Sequence, residues 1–200
     1  MADRFAATIL MPSTQFLSDI YNLSFDVLKL RAKYKRAYSS IIIRMAELLN
    51  RRQPFFAAIF ERPFDKNVGF PDYYDPDINE FQCTYFIKTN HIKKPRRRVR
   101  LLWCMLPRKW NKRTKKSCLI KNGSVAASVV RNNKSVYVEN VTGFDFFHED
   151  DFTVLGRPVY WRTRLAKIIV IGVPAKDKYL LNEQVQRIRP KTFNHSFQLI

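Results

Sequence analysis

Between residues 13 and 52 apolar side chains recur every three or four positions. Phe16, Ile20, Leu23, Val27, Leu30 and Tyr34 come first, then Tyr38, Ile41, Ile42, Met45, Leu48 and Leu49. This spacing follows the 3.6-residue period of an amphipathic helix. Ser13 or Thr14 can cap its start, and Pro54 closes it. The pattern predicts one long helix, or two helices broken near Ser39 and Ser40. From residue 54 to 80 the texture becomes aromatic, Pro-punctuated and locally acidic, with Phe55, Phe56, Phe60, Phe64, Phe70, Tyr73 and Tyr74. Such a segment is expected to lie extended across another surface with its aromatics as anchors, or to form an irregular lid over the chain's own barrel.

After Glu80 the period changes to short β-like runs. Strands are expected at residues 83–88, 98–106, 118–121, 125–130, 135–141, 152–155, 165–171, 179–181 and 196–200. Turn chemistry separates several of them: Asn122-Gly123, Asn132-Asn133, Gly156-Arg157-Pro158 and Gly172-Val173-Pro174. Many short strands without an intervening helical period predict an all-β barrel or sandwich. The expected fold class is therefore α+β: a helical and aromatic extension over 1–80, then a basic, mostly β part over 81–200.

Charge changes this picture more than composition does. The 200 residues carry a formal net charge of +19, and residues 81–138 hold sixteen Lys or Arg with no Asp or Glu. Residues 1–80 are nearly neutral, with eleven basic and ten acidic residues. The densest runs are Lys93, Lys94, Arg96, Arg97, Arg98 and Arg100, then Arg108, Lys109, Lys112, Arg113, Lys115 and Lys116 around Trp110. A short charge run is usually a solvated face. A 58-residue run that alternates with Trp and Val implies a polyanionic partner, because unbalanced charge destabilises a compact fold by self-repulsion. Arg forks onto phosphates, Lys supplies point charge, and Trp110 can stack on an exposed base; Trp103, between Leu102 and Cys104, reads as core.

Other chemistry is weakly signalled. Cys83, Cys104 and Cys118 have no paired spacing, and His91, His148 and His195 stand apart, so no metal site is expected. His148, Glu149, Asp150 and Asp151 form the dense acidic cluster of the β part and read as a polar loop. No phosphate-loop, dinucleotide or hydrolase signature occurs, so neither enzymatic activity, a cofactor nor a small-molecule substrate is expected. No apolar run approaches the roughly 20 residues that span a bilayer.

The C-terminal half resembles a known family. Phe152-Thr153-Val154-Leu155-Gly156-Arg157-Pro158-Val159 is similar to the phenylalanine-x-leucine-x-glycine-basic-proline signature of bacterial-type large-subunit ribosomal protein 21, in its mitochondrial form. Residues 99–102 would be the first barrel strand. Arg108-Lys109-Trp110 resembles the basic-glutamine-aromatic motif, and Pro190-Lys191-Thr192 with Phe197 and Ile200 the closing strand. Leu106-Pro107 stands where that family has paired glycines, and Asn182-Glu183-Gln184 thins its basic hairpin. The resemblance covers residues 98–200. It implies that residues 81–200 form a small basic β-barrel with an extended hairpin loop, in a mitochondrial ribosomal constituent that binds large-subunit rRNA and, through residues 1–80, neighbouring ribosomal proteins. Arg157, Lys176, Lys178, Arg187, Arg189 and Lys191 join the basic runs as expected RNA contacts. The alternative is a stand-alone protein that binds single-stranded RNA.

Overall fold

The computed structural model describes residues 9–62, 81–90, 124–141 and 152–181. The helical period of the N-terminal part folds into three helices: α1 (Ser13–Asn22), α2 (Val27–Tyr34) and α3 (Tyr38–Leu49). The first break falls at residues 23–26. There the N–H of Phe25 donates to the Ile20 carbonyl at 2.8 Å and that of Ser24 to the Tyr21 carbonyl at 2.9 Å, with Ser24 at φ 52° and Phe25 at φ 60°. This pair of bonds is the Schellman closure of a helix end. Asp26 then caps α2 by accepting from the N–H groups of Leu28 and Lys29. Periodicity misses this break because Leu23 and Val27, four residues apart, stand on either side of the turn and carry the apolar rhythm across it. The second break, at Lys35 (φ 53°), replaces the one expected near Ser39 and Ser40.

Polar networks fix the helices to one another. Asp19, 4% exposed, accepts from Gln15, from Lys33 at 2.7 Å and from the Tyr34 hydroxyl at 2.5 Å. Arg44, also buried, donates to the Met11 carbonyl, to Ser13 and to Glu47. A buried charge needs such partners, and here each also ties two helices together.

Five strands follow: β1 (Phe56–Glu61), β2 (Gln82–Lys88), β3 (Val136–Val141), β4 (Phe152–Trp161) and β5 (Arg164–Pro174). They form one antiparallel sheet in the order β2-β1-β5-β4-β3. Helix α4 (Val125–Asn132) precedes β3, and a 3-10 segment (Ala175–Leu181) ends the described chain. Ala57, Ile59, Leu155, Ile169, Ile171 and Val173 face α1–α3 in one core. Phe56, Ala58, Phe60, Val154, Ile168 and Val170 face the other way, in a second core with α4. The alternation follows from the two-residue period of a strand.

The class is α+β, with the helices N-terminal. The expected barrel is corrected: among the described residues the sheet is open, with β2 and β3 as its edges. Helices on both faces hide both apolar surfaces, so the sheet need not curl onto itself. Strand β1 comes from the stretch read as an extended aromatic segment, yet it lies between β2 and β5, and the break at residue 80 falls within the β1–β2 connection. Residues 125–130, expected as a strand, are helix α4, started by Ser124, whose hydroxyl accepts from the Ala127 N–H at 3.1 Å. Residues 179–181 are 3-10 rather than strand. The expected strands at 98–106, 118–121 and 196–200 lie outside the described residues, as do residues 63–80.

The two Gly-Pro turns are corrected as well. Both lie inside strands, and neither glycine has a positive φ. Close packing explains them. A Cβ on Gly156 would sit 2.7 Å from Val129 Cγ2 and 2.8 Å from Val125 Cγ1, so Gly156 lets α4 settle onto β4. A Cβ on Gly172 would sit 2.1 Å from the Phe56 ring. Pro158 lies beyond the last β3 partner, Gly156, where β4 has become an edge and tolerates a missing N–H.

Two expectations follow. Gly172→Ala drives a methyl into the Phe56 ring and should cost about 1–3 kcal/mol, read as a lower urea midpoint; an unchanged midpoint would mean the ring moves aside freely. The second concerns acid. Burial raises the Asp19 pKa, but bonds from Lys33, Tyr34 and Gln15 outweigh it and hold the carboxyl below its ordinary 3.8. The unfolded chain therefore takes up this proton more readily, so the contribution is complete above the ordinary value and fades as pH falls through the folded one. Asp19→Asn should lower the melting temperature near neutral pH, and the gap to the parent should close in strong acid. A gap of equal size at both pH values would remove Asp19 from the acid response.

Candidate nucleic-acid interface

The basic runs enter the structure through two anchored points. At the first, Thr89 closes the end of β2: its hydroxyl accepts from the Phe55 N–H at 3.0 Å and donates to the Gln53 carbonyl at 3.2 Å. Its own N–H reaches the Phe55 carbonyl at 2.9 Å, and the Asn90 N–H meets the Asn50 carboxamide at 2.6 Å. The chain thus leaves β2 clamped against the end of α3. At the second point Ser124 caps α4, whose Val125, Ala126, Ala127, Val129 and Val130 are buried against the sheet. Between them, residues 91–123 carry thirteen Lys or Arg and no carboxylate. The expected contacts Lys93, Lys94, Arg96, Arg97, Arg98, Arg100, Arg108, Lys109, Trp110, Lys112, Arg113, Lys115 and Lys116 all lie there, outside the described residues. Arg187, Arg189 and Lys191 lie outside them too.

Three expected contacts are described, and they are not brought together as one surface. Arg157 projects from β4 toward the helices, where its Nη1 donates to Asp26 Oδ2 at 2.8 Å. Asp26 is only 3% exposed at its side chain and Arg157 26%, so this is a largely buried ion pair joining the α1–α2 turn to the sheet. Lys178, on the 3-10 segment, donates to Glu139 of β3 at 2.9 Å. The bond from Lys178 holds the Glu139 carboxyl below the ordinary range against the opposing effect of burial, and the Tyr137 hydroxyl adds to it. Lys176 is exposed on the same segment.

A pattern emerges from these pairs. Asp19 takes Lys33, Asp26 takes Arg157, Glu47 takes Arg44, Glu61 takes Lys167 and Glu139 takes Lys178. Each of these five carboxylates of the described residues holds a cation, and four of the five pairs join different elements of the fold.

The strand reading missed one group. Tyr160, Trp161 and Arg162 form the tip of the β4–β5 hairpin, with Tyr160 42% and Trp161 48% exposed. The signal was present: an aromatic pair followed by Arg162 and Arg164 between two apolar runs. Among the described residues no cluster of three or more His, Cys, Asp or Glu could hold a metal ion, and no helix is long and apolar enough to cross a membrane.

Arg157 and Asp26 can be tested for a structural role. Asp26→Asn keeps a capping oxygen but loses the ion pair, whereas Asp26→Ala loses both. The alanine variant should cost about 2–5 kcal/mol and the asparagine variant less, from the worth of a cap and of a broken buried pair. Equal, small losses measured by urea unfolding would show that neither contact secures the α1–α2 turn.

No protein-family model matches this chain, and neither does any curated protein. Among solved structures it is similar to a Mycobacterium tuberculosis transcriptional regulator, with a TM-score of 0.47 and 11% sequence identity. That match covers 98% of this chain and 54% of the regulator, so the chain spans about half its length. Likeness at this level carries no functional information.

Proposed function

We propose that the protein is a non-enzymatic RNA-binding component of a ribonucleoprotein. One observation carries the reading: thirteen cations without a carboxylate in residues 91–123, inserted between the anchored points Asn90 and Ser124. Thirteen like charges with no carboxylate among them add self-repulsion rather than stability. A polyphosphate partner gives the charge a use, because each neutralised phosphate releases counterions. Large-subunit rRNA of the mitochondrial ribosome is the specific setting that the C-terminal resemblance implies. The helices α1–α3 bury their apolar stripe against the chain's own sheet. Neighbouring ribosomal proteins would then meet the polar outer side of those helices rather than a bare apolar face.

Reversing Arg96, Arg97, Arg98 and Arg100 to Glu should abolish RNA binding by the full chain and its co-sedimentation with the large subunit, with the melting temperature unchanged. The parent should bind RNA with a log-log salt slope of about −4 to −5 if six phosphates are neutralised. Salt-independent binding, or a reversal variant that still enters the particle, would sink this reading. Migration of the parent apart from ribosomes in a sucrose gradient, with RNA binding retained, would favour the stand-alone protein.

A further inference from the structure

The hairpin between β4 and β5 lies at the end of the sheet opposite Asn90, about 35 Å away along a strand of this length. Its tip combines two half-exposed aromatics with a concentration of positive charge. Trp161 pairs with Arg164 across the hairpin, and the Arg162 guanidinium lies over the Trp161 ring at 5.1 Å from its centroid. Tyr160 is fixed from below: its hydroxyl donates to the Asn133 carbonyl at 2.7 Å and also meets the Asn133 side-chain oxygen at 3.0 Å. This contact brings the C-terminal end of α4, with exposed Arg131 and Lys134, against the hairpin. Among the described residues the carboxylate at this end is Glu61, already paired with Lys167.

Most of a hairpin tip's requirements would be met by Asn or Gly, which take a positive φ at little cost. Arg162 takes φ 57° instead, so its value at the tip lies in the guanidinium rather than in the turn. A large aromatic left half in water likewise adds little to the core. Together they provide what a single strand needs: a π face for a base, and cations within reach of the adjoining phosphates.

We propose that Tyr160, Trp161 and Arg162, flanked by Arg164, Arg131 and Lys134, form a second RNA-contacting surface that stacks an unpaired base on Trp161. The surface deepens the RNA-binding reading and rests on it. It is selective for single strands, because a base held in a duplex has no free face to offer. Its residues lie outside the basic insertion in the sequence, so it can be mutated separately.

The test uses the full chain and a labelled single-stranded RNA of about 15 nucleotides, long enough for one stacking groove, beside the matching duplex. Trp161→Ala should weaken single-strand binding roughly 5- to 150-fold, the range of one lost stacking contact, and leave duplex binding within about twofold. Trp161→Phe should restore most of the loss, since a ring remains. Ultraviolet cross-linking of the parent to the same strand should mark the peptide containing Tyr160 and Trp161, which keeps the test decisive if the alanine variant fails to fold. Unchanged affinity in a folded Trp161→Ala variant, equal loss on strand and duplex, or cross-links confined to other peptides would each overturn the proposal. So would binding to anionic phospholipid vesicles that depends on Trp161 while RNA binding does not. A parent that binds no RNA would instead remove the reading on which this one rests.

Discussion

Strands β1 and β5 present apolar side chains to both sides of the sheet, and each side has to be covered. Burying Phe56 and Phe60 on one face and Ala57 and Ile59 on the other leaves no solvent-facing side for β1. β5, with Ile168 and Val170 opposed to Ile169 and Ile171, is in the same position. A two-faced sheet of this kind requires a layer above and a layer below, and the chain supplies α1–α3 on one side and α4 on the other. Gly156 and Gly172 follow from the same demand. At Gly156 the covering helix α4, and at Gly172 the Phe56 ring of the neighbouring strand, approach so closely that a Cβ has no room.

Charge is organised around this core rather than within it. Buried Asp19 and Asp26 clamp and join elements, as Asp26 does in capping α2 while holding Arg157 of β4. The sequence beyond Asn90 adds thirteen cations without a carboxylate over residues 91–123, an excess that a polyanionic partner would balance. The proposed RNA contacts need no movement of the core, only connections and a hairpin tip carried by anchored strands.

Several features were legible in the sequence because they depend on near neighbours. The amphipathic period of residues 13–52 marks the helical region, Asn132-Asn133 marks the turn before β3, and the short β-like runs mark β2, β3 and β5. The charge excess needs no structure at all. By contrast, the barrel, the strand at residues 125–130 and the Gly-Pro turns are overturned for one common reason. Each depends on what lies across from a local pattern.

Whether residues 56–60 form an anchor for another molecule or a central strand is decided by pairing with Lys88 on one side and Gly172 on the other, far away in sequence. Residues 125–130 have β-branched composition, yet they become α4 because Ser124 caps them and the Gly156 surface accepts a helix. The sequence by itself determined the helical region, the strand-rich remainder and the location of the surplus charge, all set by period and composition over a few residues. Only the tertiary structure decided strand order, the open sheet and the roles of Gly156, Arg157 and Trp161. Those depend on burial and register against distant residues, and no local pattern encodes them.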